Sequence, residues 1–155
     1  MIIRAFTPSD SKAVGELISR SFGQRDEADL VETLRSNGDM ALELVAENRK
    51  KVVGHIALSR MRGPAGWLAL APVCTEPKLQ GRGIGSVLCQ TALQYANAPV
   101  VVLGEPAFYE RFGFDFTPAG QIQSPFPAEF TGTFHPEGME VPQKIELLYA
   151  TPFLS

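Results

Sequence analysis

Apolar positions along the chain change their spacing several times, and each change marks an element. Residues 2–6 form a short apolar run. Thr7-Pro8-Ser9-Asp10 follows, in which Thr7 suits an N-cap, Pro8 the first helical position and Asp10 the first turn. Val14, Leu17 and Ile18 then recur at helical spacing, and the pattern fades by Gly23. A second short helix is predicted from Asp26-Glu27, with Leu30, Val31 and Leu34 inward and Glu27, Asp29 and Glu32 outward. Ser36-Asn37-Gly38-Asp39 ends it, because Asn-Gly favours left-handed backbone. Residues 41–47 and 52–59 have strand character and are joined by the polar connection Asn48-Arg49-Lys50. A third strand-like run, 67–75, stops at Glu76-Pro77-Lys78.

Helical spacing returns at Ile84, Val87, Leu88, Thr91 and Tyr95, straight after Gly81-Arg82-Gly83-Ile84-Gly85, and closes at Asn97 and Pro99. Val100-Val101-Val102-Leu103 has the continuous apolar composition of a strand buried on both faces. Strand, glycine turn, helix and strand make a βαβ unit with a right-handed crossover. Residues 106–112 predict a short helix stopped by Gly113. Residues 117–142, with Pro125, Pro127, Pro136 and Pro142, predict a long ordered loop, and 144–149 a last strand. The order β-α-α-β-β-β-α-β-α-β predicts an α+β fold. Its mixed sheet is mostly antiparallel and has one parallel βαβ crossover.

Composition narrows the class. At 155 residues the chain has the size of one domain, expected to span 1–155, and its apolar share of 45% is that of a globular protein. The start, Met1 to Pro8, lacks the apolar run of a secretory signal, and no stretch approaches the ~18 apolar residues of a membrane span. A net charge of −3 is the wrong sign for a nucleic-acid surface. Two cysteines, Cys74 and Cys89, are too few for a disulfide framework, and with His55 and His135 they form no metal pattern. A soluble, cytoplasmic single domain is the expectation.

The glycine turn is the strongest chemical signal. Glycines at alternate positions let backbone N–H groups converge, and a helix N-terminus behind them adds about half a positive charge, which suits a phosphate or pyrophosphate. A tight structural connection is the plain alternative. A P-loop is excluded, since no Gly-Lys-Ser/Thr triplet follows. Gly81-x-Gly83-x-x-Ser86 nearly fits a dinucleotide-binding turn, with Glu105 about twenty residues on. Against that reading, Glu76-Pro77-Lys78-Leu79-Gln80 separates the glycines from the strand, and further βαβ units are missing.

Gln80-Gly81-Arg82-Gly83-Ile84-Gly85 also resembles the Gln/Arg-x-x-Gly-x-Gly/Ala signature of the GCN5-related N-acetyltransferase (GNAT) superfamily, and the chain is similar to its small bacterial YhbS-like group. The likeness includes Asp29 to Arg35, Leu44-Val45-Ala46-Glu47, Val53-Gly54-His55-Ile56 and Pro72-Val73-Cys74. It continues through Val102-Leu103-Gly104-Glu105-Pro106-Ala107-Phe108-Tyr109-Glu110-Arg111-Phe112-Gly113-Phe114. It implies the GNAT fold and acetyl-CoA as cosubstrate, with a primary amine as acceptor. The pyrophosphate would lie on Gln80, Gly81, Arg82, Gly83, Gly85 and Ser86. Val73, Cys74 and Thr75 would pair their backbone with the pantetheine arm, which requires a gap between that strand and the one at 100–103. Tyr109 would be the general acid toward the CoA thiolate, although an aromatic packing role between Phe108 and Phe112 is its simpler use.

No base is evident: residues 67–75 hold neither carboxylate nor histidine, and the asparagine common in the family before the tyrosine is replaced here by apolar Val102 and Leu103. Glu105 is a candidate helper, though a strand-end carboxylate equally suits solvation or helix capping. His55 reads as a hydrogen-bonded sheet residue and Cys74 as a small filler. Trp67, Phe126, Phe130 and Phe134 read as core or loop anchors. A non-catalytic acyl-CoA-binding regulatory module shares the same glycine turn. The resemblance also admits a homodimer.

Overall fold

The computed structural model describes residues 1–117 and 121–154. The chain opens with β1 (Ile2–Ala5), α1 (Ser11–Phe22), α2 (Asp26–Ser36) and the hairpin strands β2 (Met40–Asn48) and β3 (Lys51–Arg60). It continues through β4 (Leu68–Thr75), α3 (Ile84–Ala96), β5 (Val100–Leu103) and α4 (Pro106–Tyr109). The last elements are β6 (Ile122–Gln123), β7 (Thr131–Phe134) and β8 (Ile145–Glu146). The main sheet has the order β1-β2-β3-β4-β5-β7. Its neighbours are antiparallel apart from the β4–β5 pair, which is parallel. The α+β expectation is thus met, and a dinucleotide-binding sheet, which needs several adjacent parallel strands, is ruled out.

Local chemistry explains most boundaries. Asp10 accepts the Thr7 N–H at 2.8 Å and two guanidinium bonds from Arg4 at 2.8 and 2.9 Å. The first turn is a 3-10 turn over Pro8–Asp10, so the α-helix begins at Ser11, three residues later than the proline suggested. Gly23 ends it at φ +72°. In α2 the inward residues are Ala28, Val31 and Leu34, and Leu30 is half-buried. The β2–β3 connection is tighter than expected, because Arg49 and Lys50 both take positive φ and the strands pair up to Asn48 and Lys51. That is the backbone of a two-residue turn suited to strand twist.

Helix α3 covers one face of the sheet, burying Leu88, Cys89 and Ala92 against Ile56, Leu58, Leu70, Val100 and Val102. On the opposite face α1 and α2 bury Leu17, Ile18 and Val31 against Val45 and Cys74. The C-terminal segment adds Ile145, Leu147 and Tyr149 beside Trp67 and Val101. Gly54 lets α3 approach the sheet: a Cβ there would lie 2.9 Å from Ile84 Cγ2, 2.9 Å from Leu88 Cδ1 and 3.2 Å from Ala46 Cβ. Gly54→Val is therefore expected to cost about 1–3 kcal/mol through overpacking, read as a lower urea midpoint at an unchanged slope.

Two expectations fail in the C-terminal third. Residues 117–142 are more than a loop, since Thr131–Phe134 forms β7, antiparallel to β5 from Val100↔Phe134 to Leu103↔Thr131. Residues 118–120 of that stretch lie outside the described residues. The strand expected at 144–149 shortens to Ile145–Glu146, which pairs with β6 in a separate two-stranded sheet. Leu148 makes a single bridge to Gly63.

Candidate active site

The site begins with a break in pairing. β4 and β5 pair over three positions, Leu68↔Val100, Ala69↔Val101 and Leu70↔Val102, and there the ladder ends. Between Ile56↔Val73 and Leu58↔Leu70 strand β3 advances two residues while β4 advances three, so β4 carries a bulge at Ala71-Pro72. Pro72 has no N–H to continue a ladder. The bulge also shifts the phase of the backbone. Before it, the Leu68 N–H points toward the β5 side, bonding Pro99 O at 3.0 Å. After it, the Glu76 N–H points toward β3, bonding Val53 O at 2.8 Å. Alternation then puts the N–H and C=O of Val73 and Thr75 on the edge facing the opening. This is the gap required between the strands at 67–75 and 100–103.

The opening is part of a groove of about 460 Å³. Val73, Cys74 and Thr75 line it from β4, and Gln80, Gly81, Gly83, Gly85 and Ser86 from the turn into α3. Tyr109 lines it from α4. Every donor-binding and general-acid candidate named from the sequence is present except Arg82, which is exposed and does not contribute to the lining. Gly81 and Gly83 have φ of +79° and +83°, and nothing lies within 4 Å of a Cβ built on either. Left-handed backbone explains why glycine stands there, and the space over the start of α3 is free for a ligand.

Six lining residues were not singled out as site residues from the sequence: Leu79 and Ile84 flank the glycine turn, and four come from other elements. Ser21 and Phe22 come from the end of α1, and the Ser21 hydroxyl donates to the Thr75 carbonyl at 3.1 Å, tying α1 to the free edge of β4. Phe108 and Arg111 come from the α4 segment. A Cβ on Gly85 would be 3.7 Å from Thr75 Oγ1 and 3.9 Å from Phe108 Cζ, so β4, α3 and α4 meet there in ordinary contact.

Tyr109 is fixed by its ring. It meets Phe108 edge-on at 4.9 Å and Phe114 at 5.7 Å. Its edge lies over Gly104, where a Cβ would stand 2.5 Å from Tyr109 Cε2. Gly104 therefore positions the phenol by having no side chain, a role invisible before the α4 turn folds back on the end of β5. Among the described residues none hydrogen-bonds the Tyr109 hydroxyl. Burial, with a smaller contribution from the Cys89 thiol, pushes this phenol above its ordinary pKa, so it is protonated throughout the neutral range.

The remaining candidates keep structural places. His55 is fully buried, its Nε2 2.8 Å from Glu43 Oε1. Glu43 also accepts from Arg35 at 2.8 and 3.0 Å. Burial raises the Glu43 pKa, and the bonds from His55 and Arg35 outweigh it, leaving the carboxyl below its usual value. Cys74 packs toward α1 and α2, and burial pushes its thiol up to about 12, so it is no nucleophile at neutral pH. Glu105 is exposed at the N-cap of α4 and does not line the groove. Among the described residues, no carboxylate or imidazole lines the groove. Trp67 is buried, with His135 edge-on at 5.2 Å, and Phe126 and Phe134 pack against core clusters; Phe130 departs from the anchor reading by remaining exposed.

Residues 41–115 match the family model described as the GNAT acetyltransferase domain. Over 135 residues the chain is 34% identical to the uncharacterized N-acetyltransferase YhbS of Escherichia coli (strain K12), covering 82% of this chain and 81% of that protein. The crystal structure of E. coli YhbS in complex with CoA superposes with a TM-score of 0.88 at 29% identity, covering 99% of this chain and 92% of that one. A GNAT family acetyltransferase from Brucella melitensis in complex with acetyl-CoA superposes with a TM-score of 0.83 at 28% identity, covering 98% and 97%.

Proposed function

This chain belongs to the GNAT family of N-acetyltransferases, and from that membership we propose that it transfers acetyl from acetyl-CoA to a primary amine by direct attack, with Tyr109 as general acid. The observation that carries the reading is the meeting of three features in one groove: the unpaired edge of β4, the glycine turn at the start of α3, and the Tyr109 phenol.

Acetyl-CoA is the cosubstrate, as in the complexes of its relatives. Its pyrophosphate rests on the amides of residues 80–86, where the start of α3 adds positive potential. The pantetheine arm runs beside Val73 and Thr75 as an added strand. This directs the thioester into the gap beyond Leu70 and Val102, where an unpaired N–H of β4 can donate to the developing oxyanion, a contact worth about 3–4 kcal/mol in other enzymes. The amine nitrogen bonds to the carbonyl carbon, the C–S bond breaks, and the sulfur leaves with the proton of Tyr109. Water carries away the surplus amine proton and restores the phenol, consistent with a groove lined by neither carboxylate nor imidazole.

Titration of the purified, ligand-stripped protein tests the donor site. Saturable micromolar binding of acetyl-CoA is expected, with none for NAD, followed by multiple-turnover release of CoA with at least one member of an amine panel. Binding without release for any amine would make the protein an acyl-CoA-binding regulatory module. Absence of binding would remove the donor site.

A further inference from the structure

Arg111 stands on the turn Glu110–Phe112 after α4 and, among the described residues, is the one charged side chain lining the groove. Its guanidinium is held in place before any ligand arrives. Nε donates to the Phe108 carbonyl at 3.2 Å, and a terminal nitrogen donates to Ser86 Oγ at 3.3 Å. The cation also lies 4.7 Å from the centre of the Phe108 ring and 5.2 Å from that of Phe112. Among the described residues it has no carboxylate partner. A guanidinium has five N–H donors, so the two bonds above leave three unused. Ser86, accepting from Arg111, keeps its own hydroxyl proton for another acceptor.

An oriented cation with spare donors and no counter-charge, beside a turn whose amides converge on an anion, is incomplete without one. We propose that Arg111, with Ser86, binds a phosphate oxygen of the donor. The inference rests on acetyl-CoA being that donor. The groove then has a two-part anion clamp, main-chain amides from the start of α3 and a guanidinium from the turn after α4. Arg111 follows Tyr109 by two positions on one short segment, so holding the phosphate also anchors the turn that presents the phenol. The side chain of Arg82, the cation that adjacency to the glycines favours, is exposed and does not line the groove.

CoA offers both a pyrophosphate and a 3′-phosphate, and calorimetric titration with CoA and 3′-dephospho-CoA separates them. Arg111→Gln is expected to weaken CoA binding about tenfold and to flatten its salt dependence, while Arg111→Lys loses less. An equal loss with both probes assigns the pyrophosphate; a loss with CoA alone assigns the 3′-phosphate. Wild-type affinity of Arg111→Gln for both probes overturns the proposal, and so does an equal loss in the Lys and Gln variants with an unchanged salt slope, which would mean packing rather than charge. Wild-type protein that binds neither probe overturns the donor-site reading itself, and that result is distinct from either outcome in the variants.

Discussion

Gly83→Glu protein folds and binds no CoA at concentrations that saturate the wild type. Gly83 is the N-cap of α3 at φ +83°, and nothing lies within 4 Å of a Cβ placed there. The new side chain meets no steric obstacle in the protein, and the cost to folding is the left-handed backbone, about 1–2 kcal/mol. Its carboxylate, however, is placed where the helix start attracts an anion, and it takes the amides intended for the pyrophosphate. A like charge about 4 Å away at an effective dielectric near 20 adds about 4 kcal/mol of repulsion, close to a thousandfold in affinity. Gly83→Ala carries the backbone strain without the charge, so retained binding in that variant assigns the loss to the carboxylate. Normal CoA affinity in folded Gly83→Glu protein would move the pyrophosphate elsewhere.

Tyr109→Phe gives the second large effect, a fall in kcat of about a hundredfold or more with acetyl-CoA affinity nearly unchanged. The magnitude is that of a positioned general acid. The separation of kcat from affinity follows from the geometry. The ring contacts with Phe108, Phe114 and Gly104 are those a phenylalanine keeps, and among the described residues no bond to the hydroxyl is lost. Because burial holds the phenol protonated across the neutral range, the pH profile of the wild type between 6 and 9 shows no limb from this group. Unchanged turnover would remove Tyr109 from the mechanism and leave it as packing between aromatic neighbours.

Sequence and structure agree best where the signal is local. The βαβ unit, the helix ends at Gly23 and Asn97, and the glycine turn are each dictated by a few consecutive residues, and each stands where expected. Strand β7 was hidden because Thr131-Gly132-Thr133-Phe134 is short, lacks a run of large aliphatic residues and lies between Pro127 and Pro136. Its stability comes from pairing with β5, a contact about thirty residues distant that no local pattern encodes. The same reasoning separates the legible part of the site from the rest. Gly81 and Gly83 announce themselves by the backbone they permit. Gly104 and Arg111 acquire meaning only when the α4 segment folds back, bringing Tyr109 over one and Ser86 against the other.

The bulge at Ala71-Pro72 makes this site sensitive to counting more than to identity. If the donor is recognised by main-chain groups of Val73 and Thr75, their side chains can vary within the limits of packing and the hydrogen-bonding edge survives. Straightening the bulge with no residue removed would restore an unbroken alternation with Leu68. The amides of Val73 and Thr75 would then turn toward β3, Cys74 would present its backbone to the opening, and the side chains would exchange faces of the sheet. Strand β4 thus has a reading frame set at the bulge, and sequence change beyond it is conservative in kind when it substitutes and disruptive when it inserts or deletes a single residue.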